Sequence, residues 1–142
     1  KHDLVISYGY RYILNEIQLS NCLQEPLNLH ISLLPWNRGA HPNFWAFHDN
    51  TPHGVTIHKI DKGIDTGKYL LQREVAFDDG ISLKDSYYEL RKNIENLFIE
   101  NYKTLIYKTI NSFSSDLDGS FHLSKELPKN VDWNKSLRDN EI

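Results

Sequence analysis

From Ser82 onward the sequence sets apolar residues three and four apart, at Leu83, Tyr87, Leu90, Ile94, Phe98, Tyr102, Leu105 and Thr109. That stripe draws one face of a long helix. Ser82 followed by Asp85 resembles a capping box with Asp in place of Glu. A helix with a single apolar face needs a second layer to cover it. The residues before it supply strands. Leu27–Leu34 alternates with period two until Pro35, and Gly54–Ile60 and Tyr69–Val75 read the same way. Leu4–Tyr8, closed by Gly9, reads as a short strand buried on both faces. Pro42 stands at a helix entry before Asn43–Phe47, and Asn15–Leu19 is weakly helical. Strands interleaved with helical stretches give an α/β chain, and the short connection 61–68 allows some antiparallel pairing.

Composition narrows the functional classes. A chain of 142 residues suits one domain, with residues 1–112 as its core and a polar tail over 113–142. Sixteen Lys and Arg against nineteen Asp and Glu leave a net charge of -3, which argues against a nucleic-acid coat. No apolar run approaches the roughly 18 residues a membrane span needs, and no secretory signal pattern is visible. The single cysteine, Cys22, excludes an intrachain disulfide and a Cys-rich metal site, so a cytoplasmic setting is expected. The absence of methionine, with the opening Lys1-His2-Asp3-Leu4-Val5, gives the expectation of the later part of a longer polypeptide. Ser114-Ser115-Asp116 reads as a linker, and residues 135–142 read as a fraying end.

Two positions stand out chemically. Asn28 and His30 are two apart on one strand, so their side chains share a face. One reading is a face that meets solvent or a hydrogen-bonded core. The other is a histidine for proton transfer beside an amide that donates to a developing oxyanion. Asp65, in the turn Asp61–Gly67, gains meaning only if it converges with His30, where a carboxylate would orient the ring and raise its pKa. His41, His48, His53 and His58 match no compact metal-ligand spacing and read as exposed or hydrogen-bonded, so no metal is expected. Trp45 and Trp133 read as packing residues, and Trp36 beside Pro35 as packing or as a stacking platform.

The run Asn28-Leu29-His30-Ile31-Ser32-Leu33-Leu34-Pro35, followed by Arg38-Gly39, resembles the signature of the 10-formyltetrahydrofolate-dependent formyltransferases. Gly54-Val55-Thr56-Ile57-His58 and Gly63-Ile64-Asp65-Thr66-Gly67 resemble that family's second block. Asp3–Leu14 is similar to its folate-holding strand and loop. The resemblance implies the later half of a Rossmann-like core, with a mixed, mostly parallel sheet and a long C-terminal helix. It places the family's catalytic residues on Asn28, His30 and Asp65. It places the folate-holding backbone on Tyr12, Ile13 and Leu14 and on Ile60, Asp61 and Lys62.

Within the family, Leu34–Ala40 with Asn43, and Gly119-Ser120-Phe121-His122, are most similar to the sugar N-formyltransferases. That likeness implies 10-formyltetrahydrofolate as cosubstrate and a nucleotide-linked amino sugar as acceptor, for surface polysaccharide. Trp36 and Arg38 would then meet the substrate, with neither nucleic acid nor membrane as partner. A homodimer, or pairing with a preceding segment, is the expected assembly. The alternatives are a folate- or partner-binding fragment without turnover and a piece of a methionyl-tRNA formyltransferase.

Overall fold

A computed structural model describes residues 2–142, so Lys1 lies outside the described residues. Four strands form the main sheet in the order β1 (Ile6–Tyr8), β2 (Leu27–His30), β4 (Gly54–Lys59), β5 (Tyr69–Glu74). A second, two-stranded sheet pairs β3 (Arg38–Gly39) with β6 (Phe121–His122). The helices are α1 (Glu16–Ser20), α2 (Pro42–His48) and α3 (Leu83–Ile106). The main sheet is mixed: β1 runs parallel to β2, while β2–β4 and β4–β5 are antiparallel. The turn 61–68 is too short for a crossover, so β5 returns beside β4.

Period two sorts the two faces of the β2–β4 ribbon. Leu27 and Leu29 on β2, with Val55 and Ile57 on β4, point to one side and meet Leu90, Ile94 and Leu97 of α3. At roughly 1.5–3 kcal/mol for each fully buried aliphatic side chain, this layer is the main hydrophobic contribution to the fold. Asn28 and His30 point to the other side, opposite His58 and Thr56 in the register. Burying one face thus fixes which residues reach the other.

Several sequence readings need correction. β1 is at the edge of this sheet, with Ile6 and Tyr8 each 38% exposed, so it is not buried on both faces. β2 ends at His30 rather than Leu34, because Thr56 Oγ1 accepts from Leu34 N and donates to Ser32 O. Those bonds bend the chain out of the ladder. On α3, capped by Ser82 as expected, the buried positions are Leu83, Ser86, Leu90, Ile94, Leu97 and Leu105. Tyr87 and Tyr102 are exposed instead, and Thr109 lies beyond the helix. Tyr102 is nineteen residues after Leu83 and therefore about 100° round the helix from it.

Residues 135–142 do not fray. Leu127, Val131 and Leu137 pack against Phe44, Trp45 and Leu83. Leu83 N and Lys84 N donate to Lys135 O and Trp133 O, which ties this segment to the start of α3. Ser136 is buried, and Asn140 Nδ2 donates to Asp132 O and Ser136 O. No helix among the described residues is long and apolar enough to cross a membrane.

Candidate active site

The polar face of the β2–β4 ribbon opens into a cleft of about 760 Å³. Asn28, His30, His58 and Asp65 all line it. Asp65 reaches them from the β4–β5 turn in the left-handed region (φ 53), where a non-glycine residue is held only by its surroundings. Its carboxylate is heavily subscribed. Asp65 Oδ2 accepts from Gly39 N at 2.9 Å, and Oδ1 accepts from Asn28 Nδ2 at 3.1 Å. His58 Nε2 is 3.3 Å from Oδ1, and His30 Nδ1 is 3.7 Å from Oδ2.

Gly39 is required where it stands. Its φ is +91, and a Cβ there would collide with the His122 carbonyl across the β3–β6 pairing. The small second sheet therefore aims one backbone N–H at Asp65. Burial alone would raise the Asp65 carboxyl. The nearby His30 and His58 rings and the Gly39 N–H outweigh it and hold the carboxyl well below the usual carboxylate range. Asp65 is an anion at any physiological pH.

His30 goes the other way. Burial lowers its pKa, and the Asp65 charge opposes that shift without overcoming it, while His58 adds to it. The expectation of a raised value therefore fails on desolvation: the side chain is only 9% exposed. Both ring nitrogens nevertheless face acceptors. Nε2 lies 3.2 Å from Asn37 O, and the donor assigned there is Nε2–H. Nδ1 faces Asp65 at a separation too long for a direct bond. A neutral ring satisfies one partner, whereas a protonated ring addresses both.

Asn28 has an informative geometry. Its Nδ2 is 3.2 Å from His58 Nε2 and 3.1 Å from Asp65 Oδ1, and those two acceptors are 3.3 Å apart. The three distances are near-equal, so both partners lie within about 60° of each other as seen from Nδ2. His58 is the residue sequence reasoning passed over. It is 2% exposed, its Nδ1 donates to Lys59 O at 2.8 Å, and its Nε2 faces Asn28 and Asp65. Only the strand register, which sets Asn28 opposite His58, reveals it.

The remaining expected residues divide. Tyr12, Ile13, Leu14, Ile60 and Asp61 line the cleft, and Lys62 does not; it pairs with Glu16 at 2.9 Å. Trp36 and Arg38 do not line it either. Ser32 Oγ donates to Trp36 O and closes that loop, and the Arg38 guanidinium lies 5.9 Å from the Phe121 ring centre. A basic residue four positions beyond a predicted strand end was too coarse a signal to say which way it points. Among the described residues no group of three His, Cys, Asp or Glu is arranged to hold a metal ion.

An Asn and a His on one strand face, joined by an ionised Asp carried in a strand-to-strand turn, bring an amide, an imidazole and a carboxylate to one wall of a cleft in an α/β chain. The profile of the formyl transferase family matches residues 1–101, and the chain belongs to that family. It is 32% identical over 142 residues to a bifunctional polymyxin resistance protein, ArnA, of Wigglesworthia glossinidia brevipalpis, covering 98% of this chain and 22% of that protein. It is 35% identical over 114 residues to a methionyl-tRNA formyltransferase of Flavobacterium johnsoniae, covering 77% of this chain and 36% of that one. The chain thus spans between about a fifth and two fifths of these curated relatives. Among solved structures it is similar to the formyltransferase PseJ of Anoxybacillus kamchatkensis, in complex with UDP-4,6-dideoxy-4-formamido-L-AltNAc and tetrahydrofolate. The TM-score is 0.87 at 39% identity, over 96% of this chain and 75% of that one.

Proposed function

We propose that this site transfers a formyl group from 10-formyltetrahydrofolate to the amino group of a nucleotide-linked amino sugar. The observation that carries the reading is the Asn28–His30–Asp65 convergence, joined to the likeness to a structure that holds both a formamido nucleotide sugar and tetrahydrofolate. The cleft fits the folate on its own evidence. Tyr12, Ile13 and Leu14 line it, and their backbone groups have no backbone partners among the described residues, which leaves donors and acceptors for a pterin edge. When bound, the folate supplies a formyl carbon on a nitrogen that can leave.

The chain's own groups then divide the work. The Asn28 amide donates an N–H to the oxygen on which charge develops as the amine adds; a single such donor is worth about 10²–10³ in rate. His30, neutral at rest because it is buried, takes the proton that the amine must lose. The protonated ring is held by Asn37 O on one side and the Asp65 anion on the other. Asp65 is fixed by the Gly39 N–H, so it receives no proton itself and acts through charge and orientation. The proton finally leaves His30 for the departing folate nitrogen, and the amine keeps the formyl group as a formamide.

The discriminating assay offers 10-formyltetrahydrofolate with three acceptors: a nucleotide-linked 4-amino-4,6-dideoxy sugar, charged initiator tRNA and glycinamide ribonucleotide. Formylation of the sugar is expected. Turnover of either other acceptor, with none of the sugar, rejects the acceptor assignment and keeps the chemistry.

A further inference from the structure

The loop 35–40 turns two backbone groups toward the cleft. Asn37 O faces His30 Nε2 at 3.2 Å, and Gly39 N donates to Asp65 Oδ2 at 2.9 Å. A loop that aims two backbone groups at two buried side chains must itself be held. What holds it comes from far along the chain, beyond residues 1–101 that the family profile matches. Arg38 N donates to Ser120 O, Ala40 N to His122 O, and Ser120 N to Pro35 O. Gly119 takes φ +69, and a Cβ there would run into the Pro35 carbonyl, so the two segments meet backbone to backbone.

Asn37 is where the restraint is tightest. It is fully buried and in the left-handed region (φ 58), which asparagine tolerates better than most residues. Burial obliges each of its polar groups to find a partner. One hydroxyl serves two of them: Ser120 Oγ accepts from Asn37 N at 2.8 Å and donates to Asn37 Oδ1 at 3.1 Å. Asn37 Nδ2 donates to Thr51 Oγ1 at 2.8 Å. The carbonyl is the group left for His30.

We propose that Ser120 is a positioning residue for the proton transfer: it fixes Asn37, whose carbonyl keeps the proton of neutral His30 on Nε2. The assignment rests on the proton-transfer reading of His30 above. With Nε2 protonated, the ring's lone pair is on Nδ1, beside Asp65, and the proton leaving the amine arrives there while its electron pair goes to the formyl carbon. The titratable groups facing His30 are Asp65, from the β4–β5 turn, and His58, from β4. Ser120 bonds to neither, so it acts on the ring only through Asn37.

The test is NMR of the His30 ring nitrogens, assigned by their loss in His30→Gln, beside steady-state kinetics. Wild type is compared with Ser120→Ala, Ser120→Thr and Leu137→Ala. In Ser120→Ala the share of the Nδ1–H tautomer is expected to rise. The ring's titration midpoint moves to lower pH, because a loosened Asn37 O supports the cation less. The acid limb of the pH–rate profile follows it, kcat falls roughly tenfold, and KM for the folate stays within about twofold. Ser120→Thr keeps the hydroxyl and restores all of these. Leu137→Ala loosens the same segment at its apolar anchor, so it lowers Tm and leaves the tautomer alone. An unchanged tautomer and midpoint in Ser120→Ala, an equal change in Leu137→Ala, or no recovery in Ser120→Thr overturns the proposal. Should Ser120→Ala fail to fold, Thr51→Val removes the other tie on Asn37 and is read the same way; failure of both to fold makes the cluster a folding element and overturns it too. The ring signals need no turnover. Displaced signals in Ser120→Ala, with no formyl transfer by the wild type, would sink the formyl-transfer reading and keep Ser120 as the residue that sets the tautomer.

Discussion

The chain sets one carboxylate between two imidazoles twice. Asp65 lies between His30 and His58, and Asp49 lies between His48 and His122. By distance alone the second cluster is the better made: both its contacts are 2.8 Å, against 3.7 and 3.3 Å in the first. Exposure reverses the ranking. The side chains of His48, His122 and Asp49 are 48%, 15% and 28% exposed, whereas those of His30, His58 and Asp65 are 9%, 2% and 11%. An exposed pair is worth about 0–1 kcal/mol however short it is. The buried one has its protonation states displaced and is fixed by a backbone N–H and an amide. His122 in the exposed cluster has a packing role, stacked on Trp45 at 4.0 Å. What separates the clusters is desolvation and the donors around them, not the length of the contact.

The sharpest way to break that comparison is a matched pair of truncations. His30→Ala is expected to lower kcat/KM for formyl transfer by about 10²–10⁴, the usual worth of a positioned proton-transfer group. His48→Ala is expected to stay within about twofold, because its ring is half in water and touches nothing in the cleft. Steady-state kinetics on both variants, with circular dichroism to confirm folding, decides. Comparable losses in the two would erase the distinction.

A smaller effect tests His58. Its Nε2 helps hold Asn28 and Asp65, so it acts as a positioning residue. His58→Phe keeps the ring volume and removes both nitrogens. About a tenfold drop in kcat is expected, with KM for the folate little changed and the pH–rate profile displaced, since the surroundings of Asp65 and His30 change together. A variant with unaltered kcat and pH profile would leave His58 a packing residue like His122.

How much of this was legible depends on what each signal encodes. Period two placed Asn28 and His30 on one face, and the apolar residues between them fixed which face was buried. Asp65 is thirty-five residues from His30 and in the left-handed region, so only the family resemblance singled it out. His58 was missed because alternation gives a strand's faces and not its register; the Asn28–His58 pairing is set by the whole β2–β4 ladder. The start of α3 was legible at Ser82 because a cap is local chemistry. Its buried stripe was misjudged at Tyr87 and Tyr102, aromatic residues that look like core and stand outside it. The segment after 113 looked like a tail because its anchors, Leu127, Val131 and Leu137, follow neither a helical nor a strand period. Their partners on α2 and α3 are visible only in three dimensions.

The smallest effect is on stability, and it follows from the displaced protonation states. His30 has a folded pKa below its ordinary value of about 6.5, so between those two pKa values the unfolded chain binds a proton that the folded chain refuses. Stability from this ring is therefore fully present above about pH 6.5 and declines as pH falls through that window. His41 and His53, also lowered by burial, act with the same sign. Asp65 comes in later. Its folded pKa is depressed, so its contribution is intact above about pH 3.9 and is lost only on further acidification. Replacing the ring by an uncharged amide, His30→Gln, removes one of the three histidine contributions. The variant should show a shallower fall of Tm from pH 7 to pH 5 than the wild type, whatever its absolute Tm. Thermal unfolding followed by circular dichroism at half-unit pH steps reads both slopes. A His30→Gln slope equal to that of the wild type would mean that the buried ring takes up its proton in the folded chain as readily as in the unfolded one.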